Sequence, residues 1–142
     1  MPYEAQLIVE PKTWPPYIRN TFSGKVTTEE VIASINVTLN LLDKQDRPTD
    51  LVAIFEDGCS LFNAKGILFQ KDLIEQLTWH SNLDQIIAAD LNQVLNGSFL
   101  QTLLQAAMNQ PALKVSIFGS MEELNAYMKK KYENYKPTPT AA

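Results

Sequence analysis

A chain of 142 residues, 45% apolar and 20% charged, suits one globular domain with a real core. Its net charge of −4 argues against nucleic acid, where a basic stripe is expected, and against anionic membrane surfaces. One cysteine and one histidine exclude an internal disulfide and weigh against a zinc site.

Met1-Pro2-Tyr3-Glu4 lacks the basic start of a secretory leader. No apolar run approaches the roughly 20 residues of a membrane-spanning helix. The expected setting is reducing and cytoplasmic.

The N-terminal part reads as two strands, Ala5 to Val9 and Tyr17 to Ser23. Pro11, Pro15 and Pro16 between them remove ladder donors and force a loop, so an antiparallel hairpin is expected. Trp14 in that loop either covers the core edge or anchors a partner.

Thr27 with Glu30 forms a capping box, and Val26 can staple onto Val31. Ile32, Ile35, Leu39 and Leu42 follow as one helical face, until Asp46-Arg47-Pro48 stops the helix. Leu51 to Phe55 is a continuous apolar run of strand length, as in a strand covered on both faces. A second helix is expected from Asn63 to Trp79 and a further strand from Leu83 to Ala89. Ser98 with Gln101 opens a helix carrying Phe99, Leu100, Leu103, Leu104, Ala107 and Met108 on one stripe. Lys114 to Phe118 is a last strand. Ser120 with Glu123 caps a final helix with Met121, Leu124, Tyr127 and Met128 inward.

The order β-β-α-β-α-β-α-β-α predicts an α/β domain over residues 1–135, with a hairpin, then alternating strands and helices. The sheet is mixed but mainly parallel, with helices mostly on one side. Residues 136–142 are Pro/Thr-rich and read as a fraying tail.

Few residues carry chemistry. Cys59 precedes a helix start, where a thiolate is stabilised, but no base accompanies it, and a small buried thiol is the better reading. His80 sits near a helix end, which suits capping or a surface role. Glu56 and Asp57 point to opposite faces and cannot share a proton. Gly58 and Gly66 read as turn residues, because the spacing of a phosphate loop is absent. Lys129-Lys130-Lys131 reads as a solvated helix end complementing the dipole. No cofactor, metal or catalytic constellation is expected.

The segment Gly58-Cys59-Ser60-Leu61-Phe62-Asn63-Ala64-Lys65-Gly66-Ile67 resembles the signature of the STAS, or anti-sigma-factor-antagonist, superfamily. That pattern runs from a glycine through a polar residue and an apolar pair to Asp-Ser-Ser-Gly-Leu. Asn63 falls on the aspartate. Ala64 falls on the serine that the family's kinases phosphorylate, and Lys65 on the next serine. Thr21 to Thr27, and Val115 to Phe118 followed by Ser120 to Leu124, resemble a divergent bacterial branch similar to the sporulation anti-sigma antagonist.

The resemblance implies a STAS-like single domain and a non-catalytic protein-interaction module in bacterial regulation. The partner would be a regulatory kinase or a sigma-regulator-like protein, docking at Asp57, Gly58, Ser60, Asn63, Ala64 and Lys65. With Ala64 in place of the serine, the phosphate switch is expected to be missing. The alternative is a carrier or sensor of a small apolar ligand held between sheet and helices, lined by Phe62, Phe69, Leu103 and Met108.

Overall fold

The computed structural model describes residues 3–62, 71–91, 110 and 112–136. Strands β1 (Tyr3–Ile8) and β2 (Tyr17–Phe22) form the expected antiparallel hairpin, with Leu7 opposite Ile18. After β3 (Lys25–Thr27) come α1 (Thr28–Asp43) and β4 (Thr49–Phe55). Then follow β5 (Ser60–Phe62), α2 (Lys71–Thr78), β6 (Leu83–Asp90), β7 (Lys114–Phe118) and α3 (Met121–Lys131).

The main sheet has the order β1-β2-β4-β6-β7. Among the described strands of this sheet, only the β1–β2 pair is antiparallel; Ile18 pairs with Leu51, Leu51 with Ile86, and Ile86 with Val115, all in parallel ladders. Central β4 is buried along both faces, which accounts for its unbroken apolar run. On one face, α1 and α2 pack Val31, Ile35, Leu42, Ile74 and Leu77 against Ile18, Phe22, Leu51, Phe55 and Ile86. On the other, α3 packs Leu124 and Met128 against Val52, Ile54, Ile87 and Ala89. Two of the three described helices thus share one side. Trp14 lies against the second cluster, 5.5 Å from Tyr132 between ring centroids, so it covers the core edge.

The capping box of α1 forms as its sequence predicts: Glu30 N–H donates to Thr27 Oγ1 at 3.2 Å, and Thr27 N–H to Glu30 Oε1 at 3.0 Å. Its buried face differs from the expected one. Val31, Ser34, Ile35, Thr38 and Leu42 are buried, while Ile32 and Leu39 are half-buried. Two hydroxyls enter the core because the helix itself satisfies them. Ser34 Oγ donates to Val31 O at 2.7 Å and Thr38 Oγ1 to Ser34 O at 2.8 Å. Thr38 then accepts from Asn20 Nδ2 on β2 at 2.9 Å.

Of two expected helices, one lies partly and the other wholly outside the described residues. Of the helix expected from Asn63 to Trp79, residues 63–70 lie outside the described residues, as does the helix expected at Ser98 to Met108.

Candidate functional site

The carboxyl end of β4 leads into a tight turn. Glu56 N–H donates to Phe22 O at 3.0 Å, and Cys59 N–H closes back onto Glu56 O at 2.9 Å. Gly58 stands in the turn at φ 83°, a left-handed conformation that disfavours a side chain although nothing lies within 4 Å of an added Cβ. Glu56, Asp57 and Gly58 are exposed, whereas Cys59 is fully buried.

After Cys59 the chain forms a short strand before any helix. β5 pairs in parallel with β3, Leu61 opposite Val26 and Phe62 opposite Thr27. Ser60 therefore opens a strand, not a loop, because β3 offers its backbone as a partner. Asp57 and Gly58 sit together on the turn. Asn63, Ala64 and Lys65 lie outside the described residues, as do Phe69, Leu103 and Met108.

Burial raises the pKa of the Cys59 thiol, and the charges of Asp90 and Glu56 push it further. That is the opposite of what activates a nucleophile. His80 has a structural place. Asn82 N–H donates to its Nδ1 at 3.1 Å, so Nε2 carries the hydrogen and donates to Asp43 Oδ1 at 2.6 Å. Asn82 Nδ2 reaches Leu42 O and Gln45 O, both at 2.9 Å. Together they fasten the end of α1 to the start of β6. Among the described residues, no group of His, Cys, Asp and Glu is placed to hold a metal ion.

The amino end of β4 carries a polar cluster that corrects the expected solvated lysine run. Lys129 and Lys130 are exposed. Lys131 instead turns inward, with Nζ 2.7 Å from Asp50 Oδ2 and 2.7 Å from Gln85 Oε1. Tyr132 OH also donates to Asp50 Oδ2. Gln85 Nε2 continues the chain to Tyr127 OH at 2.7 Å and Ser116 Oγ at 3.0 Å. Burial holds Asp50 above the ordinary carboxylate pKa, against the lowering pull of Lys131 and Tyr132. Tyr132 is pushed far up by burial and by the Asp50 charge beside it. Sequence patterns missed Asp50 and Gln85. The one available signal was a polar residue flanked by strand residues on both sides, in Thr49-Asp50-Leu51 and Asp84-Gln85-Ile86.

Between the sheet and α1 and α2 lies an apolar void of about 50 Å³, bordered by Asn20, Phe22, Ile35, Leu51, Ile74 and Ile86 among others. Small-molecule sites run to roughly 300–1,000 Å³, so this void has room for a few waters at most.

No protein-family model matches the chain, and no curated protein does. Among solved structures, the chain is similar to an uncharacterised protein of the DUF3478 family from Shewanella loihica PV-4, described as having a SpoIIAA-like fold. The two share 12% identity over 89% of this chain and 93% of the other, with a TM-score of 0.53. The chain has a SpoIIAA-like α/β fold, as the signature segment implied. No described helix is long and apolar enough to cross a membrane.

Proposed function

We propose that this protein is a non-catalytic protein-interaction module of bacterial cytoplasmic regulation, docking its partner at the carboxyl end of β4. The observation that carries this reading is the exposed Glu56-Asp57-Gly58 turn, projecting from the strand end where open α/β folds place ligands and partners. The neighbouring thiol is buried and its pKa raised, which favours recognition over nucleophilic chemistry.

Ser60, Asn63, Ala64 and Lys65 complete the docking surface. Because Ala64 has no hydroxyl, the interaction is constitutive or set by partner levels. Affinity capture from the native host with mass spectrometry tests this. Wild type and Ala64→Ser are expected to retain one stoichiometric protein partner, a regulatory kinase or sigma-regulator-like protein. Ala64→Glu, which places negative charge at the site, is expected to lose it. Capture unaffected by Ala64→Glu places docking elsewhere, and stoichiometric phosphate on native Ser60 restores a switch.

A further inference from the structure

We infer that the groove between α3 and the β1–β2 hairpin receives a basic, amphipathic segment of the partner, an inference that rests on the docking reading above. Ile8 and Tyr17 belong to the core cluster under α3. Strand alternation therefore puts Glu4, Gln6, Arg19 and Thr21 on the same side of the sheet. α3 packs over β4, β6 and β7. Among the described residues, no helix covers the hairpin on that side.

The uncovered strip and the start of α3 enclose an open groove of about 530 Å³, which meets the docking turn at Glu56 and Asp57. Ile54, Leu91 and Met121 give it an apolar wall, and Glu4, Glu56 and Asp57 supply carboxylates. Among the described residues, Arg19 is the one cation lining it; it lies close enough to the Tyr17 hydroxyl to act on its charge, and the carboxylates outnumber it three to one. None of the three carboxylates makes an ion pair with a described residue. Glu122 and Glu123, exposed in the first turn of α3, extend the negative field beside Met121.

These acids are not gathered into a cluster that could hold a metal ion. Spread along an apolar wall, they match ammonium or guanidinium groups spaced along a chain whose apolar side chains meet Ile54, Leu91 and Met121. Such complementarity selects the partner and speeds encounter. It also repels anionic segments.

The test titrates the full chain with a short Lys/Leu amphipathic peptide and its Glu/Leu counterpart, reading amide chemical shifts and fluorescence anisotropy. The Lys/Leu peptide is expected to shift Glu4, Thr21, Leu91 and Met121, and the Glu/Leu peptide to bind far more weakly. Glu4→Lys combined with Glu56→Lys should weaken Lys/Leu binding about tenfold or more. Glu10→Lys combined with Glu133→Lys makes the same net-charge change at exposed positions away from the groove, and should change it by less than about twofold. Equal losses in the two double variants, or shifts confined to other residues, overturn the groove assignment. Equal binding of both peptides overturns the partner's basic character. Each of these results leaves the capture experiment with Ala64→Glu to decide the docking reading separately.

Discussion

Lys131, in the last turn of α3, reaches Asp50 near the start of β4, with Nζ 2.7 Å from Oδ2. The two side chains are unequal: Asp50 is 5% exposed and Lys131 24%. Removing either partner therefore has a different cost. Lys131→Met leaves a carboxylate in the core with only Tyr132 beside it, and should cost about 3 kcal/mol. Asp50→Asn leaves an ammonium that keeps Gln85 and reaches water, and should cost about 1 kcal/mol. Urea unfolding of both variants checks the order, and an equal or reversed cost contradicts the assigned burial.

Asp50 also sets a pH dependence. Its pKa in the folded chain lies above the unfolded value of 3.8, chiefly through burial. The folded state thus binds this proton more tightly. The corresponding stability is full below the unfolded value and is lost as pH rises through the folded one. Stability of wild type relative to Asp50→Asn should accordingly fall as pH is raised from 3.5 toward neutrality, an interval of about 3 units above the ordinary carboxylate value. Paired denaturation curves across that interval measure it, and a difference that grows with pH contradicts the burial of Asp50.

Cys59 should react slowly. It is fully buried and its pKa is raised, so native protein should be modified by a thiol probe well below the rate of free cysteine. Denaturant should restore that rate. Cys59→Ser should fold and keep partner binding. Faster modification than free cysteine would identify a tuned nucleophile.

The cap of α1 should be measurable. Thr27→Ala removes the acceptor for Glu30 N–H and should cost about 1 kcal/mol in thermal or urea unfolding. Ile35→Asp, at a position 7% exposed, should cost several kcal/mol, on the order of a buried-charge penalty. Unchanged stability in Ile35→Asp would refute the inward face of α1.

Buried polar pairing also resists simple truncation. Thr38→Val removes the acceptor of Asn20 Nδ2 and leaves a donor unpaired in a core position. A loss of about 1–3 kcal/mol is expected, larger than for an exposed threonine. Recovery in the double variant Asn20→Leu/Thr38→Val, read by unfolding, checks that the penalty belongs to the orphaned amide.

The sequence disclosed what local chemistry controls. Thr27 and Glu30 announce a cap because both partners sit within one turn, and Leu51 to Phe55 announce a doubly covered strand because no polar residue interrupts them. Ser34 and Thr38 hid from the apolar periodicity, since a hydroxyl that bonds its own helix is buried without being apolar. Lys131 resembled its exposed neighbours until the fold brought Asp50 beneath it, 81 residues away in sequence. Of the proposed docking site, the Gly58 turn was legible from its glycine. The groove was not, because Glu4, Ile54 and Met121 meet only through sheet register and the placement of α3.

Thr27 links two parts of the molecule that a chain diagram keeps apart. It caps α1, and through β3 it lies opposite Phe62 at the far end of β5. The short parallel ladder thus joins the strand beyond the Gly58 turn to the first turn of α1 through one residue. If the proposed partner grips Ser60 to Phe62, the backbone at the cap is expected to be held more tightly. Partner engagement should then be audible at a distance, as slowed hydrogen exchange of the amides at Glu30 and Val31, on a helix the partner need never touch.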